Sequence, residues 1–351
     1  MLLEGLQLPL TTPFYSDGRL NLPKLENNAA RYSKTPIAGL VALSDSGEPT
    51  MLSEDETRST LRSVAEAAAA EKVLIAGVSR DSVVGTLDLA ETAAELGYDA
   101  LLVKKPSIFA AGAATQEPKA VLSYFRIVAD RSPLPVVLYS AASAHGGSLP
   151  IEVVIELAEH PQIIGLVDGA GAAPRIEALK EHRGKMKREV NVTAVFAAVT
   201  GRMLLRNNGA ALIGADTLTG GGAALAVAPK AAAKTRTKAV GFQVLSGHTR
   251  GMLEALRAGA VGAMPAFAAS APQACYEVLA AWKDGDEGLA QEKQVRLQSV
   301  AGKVEEEFGV AGIKFGCDLN GYFGGRPRLP LLPLTGEEQA MIEALMQGMR
   351  H

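Results

Sequence analysis

Four side chains sit where short apolar runs give way to loops and so invite a chemical reading: Asp45 in LSDSGE, His145 in SAHGG, Asp168 in LVDGAG and His248 in LSGHT. Two imidazoles and two carboxylates are donor types that hold a divalent cation. Their spacing matches no recognised ligand motif and lone loop histidines are ordinarily solvated, so no metal is expected. Asp45, Ser46, His145 and His248 are read instead as a substrate-binding rim. Lys104 and Lys105 stand together at the end of another apolar run. A desolvated lysine amine attacks carbonyl carbon, and period-two alternation along a strand turns one of the pair inward and the other outward. Cys275 and Cys317 are too few and too far apart for a Cys-x-x-Cys site or a disulfide framework, which fits a reducing, cytoplasmic setting. DGAGAAP at 168–174 has the setting of a dinucleotide fingerprint but only two of its glycines and no acidic residue in a suitable following strand. No cofactor is expected.

The elements that must position these residues alternate regularly. Apolar runs at 5–10, 37–44, 72–78, 98–103, 134–140, 162–167, 242–247 and 260–266 read as strands. Between them lie amphipathic stretches such as 53–70, where Ser53 and Glu56 make a capping box. Eight βα repeats whose strands are apolar on both faces predict a closed (β/α)8 barrel. The barrel is expected over residues 1–270, with a helical region at 271–351 broken by a Gly/Pro-rich stretch near 316–336. Residues 187–240 fall outside the alternation and are read as an insertion. Ten basic residues against two acidic ones lie between Arg183 and Lys238, and Asn208-Gly209 suggests a hairpin turn joining 190–201 to 208–217. The Ala-rich stretch that follows is low in complexity.

With 351 residues, 48% of them hydrophobic, the chain can bury a large core. A net charge of −3 and basic residues without interleaved aromatics argue against nucleic acid as a partner. No apolar run approaches the roughly 18 residues of a membrane span, so a soluble protein with a small-molecule substrate is expected.

Six phrases occur in order: LTTPF (10–14), SDSGEPTMLSEDE (44–56), VVLYSAASAHGG (136–147), QIIGLVDGAG (162–171), VLSGHTRGMLEALRAGAVGAM (244–264) and GIKFGCDLNGYFGGRPRLPLLPL (312–334). Together they resemble the dihydrodipicolinate synthase and N-acetylneuraminate lyase superfamily, and SPLPVVLYS, HPQIIGLVDGAG and GYFGG look most like its 4-hydroxy-2-oxoglutarate aldolase branch. The resemblance implies a TIM barrel, a homo-oligomer (dimer or tetramer), and class I aldolase chemistry. In that chemistry a sixth-strand lysine forms an imine with a 2-oxo acid and a fifth-strand tyrosine moves the proton.

Tyr139 matches the family tyrosine. The lysine position is Val167, which forms no imine. The Gly-Thr-Thr-Gly-Glu type loop reads Ser44 to Glu48, where Ser46 keeps a hydroxyl and Asp45 introduces an anion. Pro106 is followed by Ser107, Ile108 and Phe109 in place of the relay tyrosine, while Glu48, Lys314 and the stretch 328–334 match as framework. These losses together imply that pyruvate-imine chemistry has been abandoned; of the two lysines that could stand in as a nucleophile, Lys105 is the preferred one. Two readings follow: a diverged lyase of a small 2-oxo acid or sugar-acid, and a non-catalytic barrel serving as a binding or assembly module.

Overall fold

All eight apolar runs become the strands of one closed parallel barrel. The computed structural model describes residues 1–109, 117–141, 148–169, 173–209 and 235–349. Its barrel strands are β1 (Gly5–Pro9), β2 (Gly39–Ala42), β3 (Val73–Gly77), β4 (Ala100–Lys104), β5 (Val136–Ser140), β6 (Ile163–Asp168), β9 (Gln243–Ser246) and β10 (Gly262–Ala263), with β10 pairing with β1 to close the ring. Helices α1 (Leu22–Tyr32), α2 (Glu54–Ala67), α3 (Val83–Glu95), α4 (Glu117–Arg131), α5 (Ile151–Ala158), α6 (Ala173–Arg183) and α8 (Met252–Arg257) lie in the crossovers. The Ser53/Glu56 capping box starts α2 with both of its hydrogen bonds in place.

Two buried layers explain why the strands are apolar on both faces. Outward side chains such as Leu101, Val103 and Leu138 join the helices in one large core. Inward ones, among them Val41, Ile75, Leu102, Val137, Val167, Leu245 and Met264, fill the barrel interior. No helix among the described residues is long and apolar enough to cross a membrane.

The excursion between β6 and β9 forms an antiparallel ribbon of β7 (Arg188–Thr193) and β8 (Thr235–Val240), with α7 (Gly201–Gly209) leading out of its first strand. This corrects the expected hairpin. Asn208 and Gly209 lie in α7 rather than in a turn, and 188–193 pairs with 235–240 because that register turns Val190 and Val192 onto Leu2. Residues 210–234, which hold the rest of the supposed hairpin and most of the low-complexity stretch, lie outside the described residues.

The ribbon closes the N-terminal end of the barrel. Arg188 donates to the carbonyls of His160 (2.6 Å), Pro161 (3.0 Å) and Ile163 (2.7 Å) where β6 begins. Thr200 and Arg202 bind the carbonyls of Ala70 and Ala68 ahead of β3. Asp99, just before β4, accepts from the amides of Leu74 and Gly201. At the opposite, C-terminal end the described residues leave a cavity, and barrels of this kind carry chemistry there.

After the barrel come α9 (Pro272–Lys283), α10 (Glu287–Ala301), a π-helical turn (Gly302–Glu307), α11 (Gly309–Leu319) and α12 (Gly336–Met346). The expected break begins later than its glycines suggested. Gly316 lies inside α11, where a Cβ would stand 2.6 Å from the Ser270 hydroxyl, so this glycine serves close packing rather than helix termination.

Candidate active site

The C-terminal end is shaped first by backbone. Beyond β2 the chain turns through Leu43 at φ 58, a conformation that costs a non-glycine residue roughly 1–2 kcal/mol. The turn fits because Gly77 has no side chain: a Cβ there would lie 2.1 Å from the Leu43 carbonyl oxygen. Asp45–Gly47 then form a short 3-10 turn, and the Thr12 hydroxyl donates to the Gly47 carbonyl at 2.6 Å. Glu48, also at positive φ, anchors the loop from below. Its carboxylate accepts the Arg328 amide at 2.8 Å and forms a fully buried ion pair with Lys314. Lys314 and Arg328 each stand 4.4 Å from the Phe14 ring centre on the cation–π pattern.

Within this frame one row of the barrel carries the chemistry-bearing residues. Lys104 on β4 is in register with Tyr139 on β5, and Tyr139 with Val167 on β6. Lys104 shares its strand face with Ala100 and Leu102 of the interior layer, so it is the member of the lysine pair that points inward. Its ammonium lies 2.7 Å from Asp45 Oδ1. The Tyr139 hydroxyl faces the same carboxylate. Burial, and then the nearby negative charge of Asp45, push the Tyr139 phenol well up and keep it protonated.

A cavity of about 510 Å³ opens above these groups, walled by Ser44, Ser79, Arg80, both lysines and Ser107. The Lys104 amide donates to the Ser79 hydroxyl at 2.9 Å. Ser107 binds Asp81 through its amide and its hydroxyl, both at 2.6 Å, which fixes the turn after β4.

The other expected site residues are placed as follows. Lys105 lines the cavity on the outward register, its ammonium 3.2 Å from the Phe109 carbonyl. Ser46 is buried in the 3-10 turn. Val167 is fully buried and packs with Val137, Leu245 and Tyr139 inside the barrel. Asp168, the next residue, points out and is held by Arg175 at 3.1 Å. His248 turns to Glu306 (Nε2 to Oε1, 3.1 Å), and burial holds its pKa below the usual imidazole value. His145 lies outside the described residues. Ile108, standing at the relay position, is 69% exposed. Among the described residues no three His, Cys, Asp or Glu side chains are grouped to hold a metal ion. Cys275 and Cys317 are buried free thiols in α9 and α11.

Sequence reasoning missed one group. Glu305 comes from the π-helical turn of the C-terminal region to the ends of β9 and β10. Its carboxylate accepts from the Thr249 hydroxyl and from the Ala266 amide. Burial raises its pKa to about 7, and it acts electrostatically on Tyr139. No local motif announces it, because its partners lie 56 and 39 residues away.

Comparison with known proteins agrees with this architecture. The chain is 27% identical to a 4-hydroxy-tetrahydrodipicolinate synthase of Exiguobacterium sp. over 343 residues, covering 98% of this chain and 97% of the relative. It is 26% identical to the L-threo-3-deoxy-hexylosonate aldolase of Hypocrea jecorina, covering 99% of this chain and 95% of the relative. Among solved structures, a dihydrodipicolinate synthase from Bacillus anthracis superimposes with a TM-score of 0.77 at 20% identity, each chain covered to 99%. A prophage protein of E. coli K12, solved in complex with pyruvate, gives 0.75 at 22% identity, again with 99% of both chains covered. The sequence profile described as the dihydrodipicolinate synthetase family matches residues 2–188 and 226–349, leaving out only part of the ribbon excursion and the extreme termini. Barrel, closing ribbon and C-terminal helices are thus the frame of a chain that belongs to the dihydrodipicolinate synthetase family.

Proposed function

We propose that this protein is a lyase of the aldolase type acting on a small 2-oxo acid or sugar-acid at the C-terminal end of the barrel. The observation that carries this reading is the polar cluster at the floor of the cavity: a protonated tyrosine, a carboxylate and an ammonium converge there, although the β6 position holds valine. Breaking or making a carbon–carbon bond next to a carbonyl needs a proton-transfer group within hydrogen-bond reach and cationic stabilisation of the developing negative charge. Tyr139 is suited to the first task and Lys104 to the second. A cavity of about 510 Å³ lies within the ordinary range for small-molecule sites and leaves room for a substrate of several carbons. The synthase and aldolase names of the relatives, and the pyruvate bound in a structural neighbour, support the same substrate class.

A second reading, a barrel that binds a ligand or assembles without catalysis, is favoured by one observation: Val167 is fully buried and packs in the hydrophobic cluster of the barrel interior. Retro-aldol turnover separates the two. The protein is incubated with a panel of 4-hydroxy-2-oxo acids and 3-deoxy-2-oxo sugar acids, and product formation is followed by NMR. Cleavage that falls on the order of 10²-fold or more in Tyr139→Phe is expected for the lyase. A ligand-dependent rise in Tm with no cleavage across the panel establishes the second reading, and neither response overturns both.

A further inference from the structure

We propose that Lys104 is the amine nucleophile of this barrel, the covalent lysine having moved from β6 to β4, the strand on the other side of Tyr139. The inference rests on the lyase reading above and names the residue that would form the imine.

The register carries the argument. Lys104, Tyr139 and Val167 are successive partners across β4, β5 and β6 and share the inward face. Neighbouring strands lie about 4.8 Å apart. A lysine at 104 and one at 167 would therefore flank the tyrosine at equal distance in the same layer, and exchanging one for the other leaves the spacing between amine and phenol nearly unchanged. Among the described lysines near the cavity floor, Lys104 alone combines the inward register with the Tyr139 neighbour. Lys105 follows on the outward register with its ammonium at the Phe109 carbonyl. Lys314 is locked in its buried pair with Glu48 on the far side of the 3-10 loop.

Asp45 completes the arrangement. In a family position where the resemblance implies a hydroxyl, it places a carboxylate 2.7 Å from the Lys104 ammonium. Both side chains are more than a third exposed or nearly so, at 34% and 39%. An ion pair this open to water is weak, so the lysine can leave it as substrate enters.

The step balances as follows. Lys104 passes a proton to Asp45, and the free amine pair attacks C2 of the 2-oxo acid, forming a carbon–nitrogen bond as the carbonyl π pair moves to oxygen. Tyr139 protonates that oxygen and recovers its proton from the nitrogen, leaving a neutral carbinolamine. Asp45 then returns its proton to the departing hydroxyl, which leaves as water, and the iminium remains on Lys104.

The test is reduction with sodium borohydride in the presence of pyruvate, 2-oxobutyrate or 2-oxoglutarate, read by intact mass and peptide mapping, in wild-type, Lys104→Met and Lys105→Met proteins whose Tm values are measured alongside. The expected result is a single adduct on Lys104, kept in Lys105→Met and lost in Lys104→Met at unchanged Tm, with cleavage of a panel substrate falling on the order of 10³-fold or more in Lys104→Met. An adduct on another lysine, no adduct with any of the three acids, or cleavage that survives in Lys104→Met overturns the assignment. In the last case the lyase reading stands without it. Absence of cleavage by the wild-type protein removes the lyase reading and this assignment together.

Discussion

Gly247 crosses the end of β6 so closely that a Cβ at 247 would lie 3.0 Å from Val167 Cγ1 and 2.9 Å from the Gly169 amide nitrogen. The space around residue 167 is therefore closed by backbone on the β9 side and by Tyr139 and Val137 within the barrel. A longer side chain at 167 has little room to settle beside its neighbours. Overpacking a tight interior costs about 1–3 kcal/mol, and burying an ammonium among apolar groups adds to that.

Val167→Lys is accordingly expected to destabilise the protein, lowering Tm by several degrees on the scale of a large domain. Differential scanning calorimetry measures it. A variant as stable as wild type would show that the interior at 167 opens freely to the cavity and that valine there is not a packing element.

The sequence made the barrel legible because its strands are buried on both faces, and a continuous apolar run of four to six residues is what such strands require. The same property hid the site. Ala100 to Val103 are all apolar, so nothing in the run shows which face is inward, and the choice between Lys104 and Lys105 could not be phased from alternation alone. The Lys104–Asp45 pair joins residues 59 apart, and the Lys314–Glu48 pair joins α11 to the loop after β2, far apart along the chain. Local pattern also misled at Asn208-Gly209, where a good turn dipeptide lies in a helix because the valines of β7 find their partner strand much further along.

Tyr139 is expected to act as a neutral acid over the whole physiological range. Its pKa is raised by burial and by Asp45, so the phenol stays protonated beyond its usual pKa of 10. Tyr139→Phe should lower kcat on the order of 10²-fold or more, with a smaller change in KM, since the hydroxyl acts mainly on the moving proton. The wild-type pH profile of kcat/KM should show no falling limb from phenol ionisation below about pH 10. A limb between pH 8 and 9 that disappears in Tyr139→Phe would contradict this placement.

The Lys314–Glu48 pair ties the C-terminal helices to the loop that carries Asp45. Both side chains are fully buried, and burial lowers the Lys314 pKa while Glu48 opposes that shift. Removing one partner leaves the other charge without compensation in the interior, at a cost of about 3–5 kcal/mol. Lys314→Met should therefore lower the urea midpoint sharply, and Lys314→Met combined with Glu48→Gln should recover a large part of the loss. Additive effects in the double variant would mean that the two groups are not coupled.

Glu305 is expected to make the protein's stability fall between mildly acid and neutral pH. Burial lifts its pKa from 4.5 to about 7, with Glu306 adding to the shift and the Thr249 hydroxyl and Ala266 amide opposing it. The folded chain thus holds this proton more tightly than the unfolded chain. The stabilisation from protonation is complete below about pH 4.5, is lost as pH rises through 7, and changes little beyond that point. Glu305→Gln keeps an oxygen to accept a hydrogen bond but has nothing to titrate. The fall in Tm between pH 5 and pH 8 should therefore be smaller in Glu305→Gln than in wild type, and Glu305→Gln should be the more stable of the two at pH 8. Parallel Tm curves for the two proteins across that interval would show that this carboxylate is already ionised in the acid range.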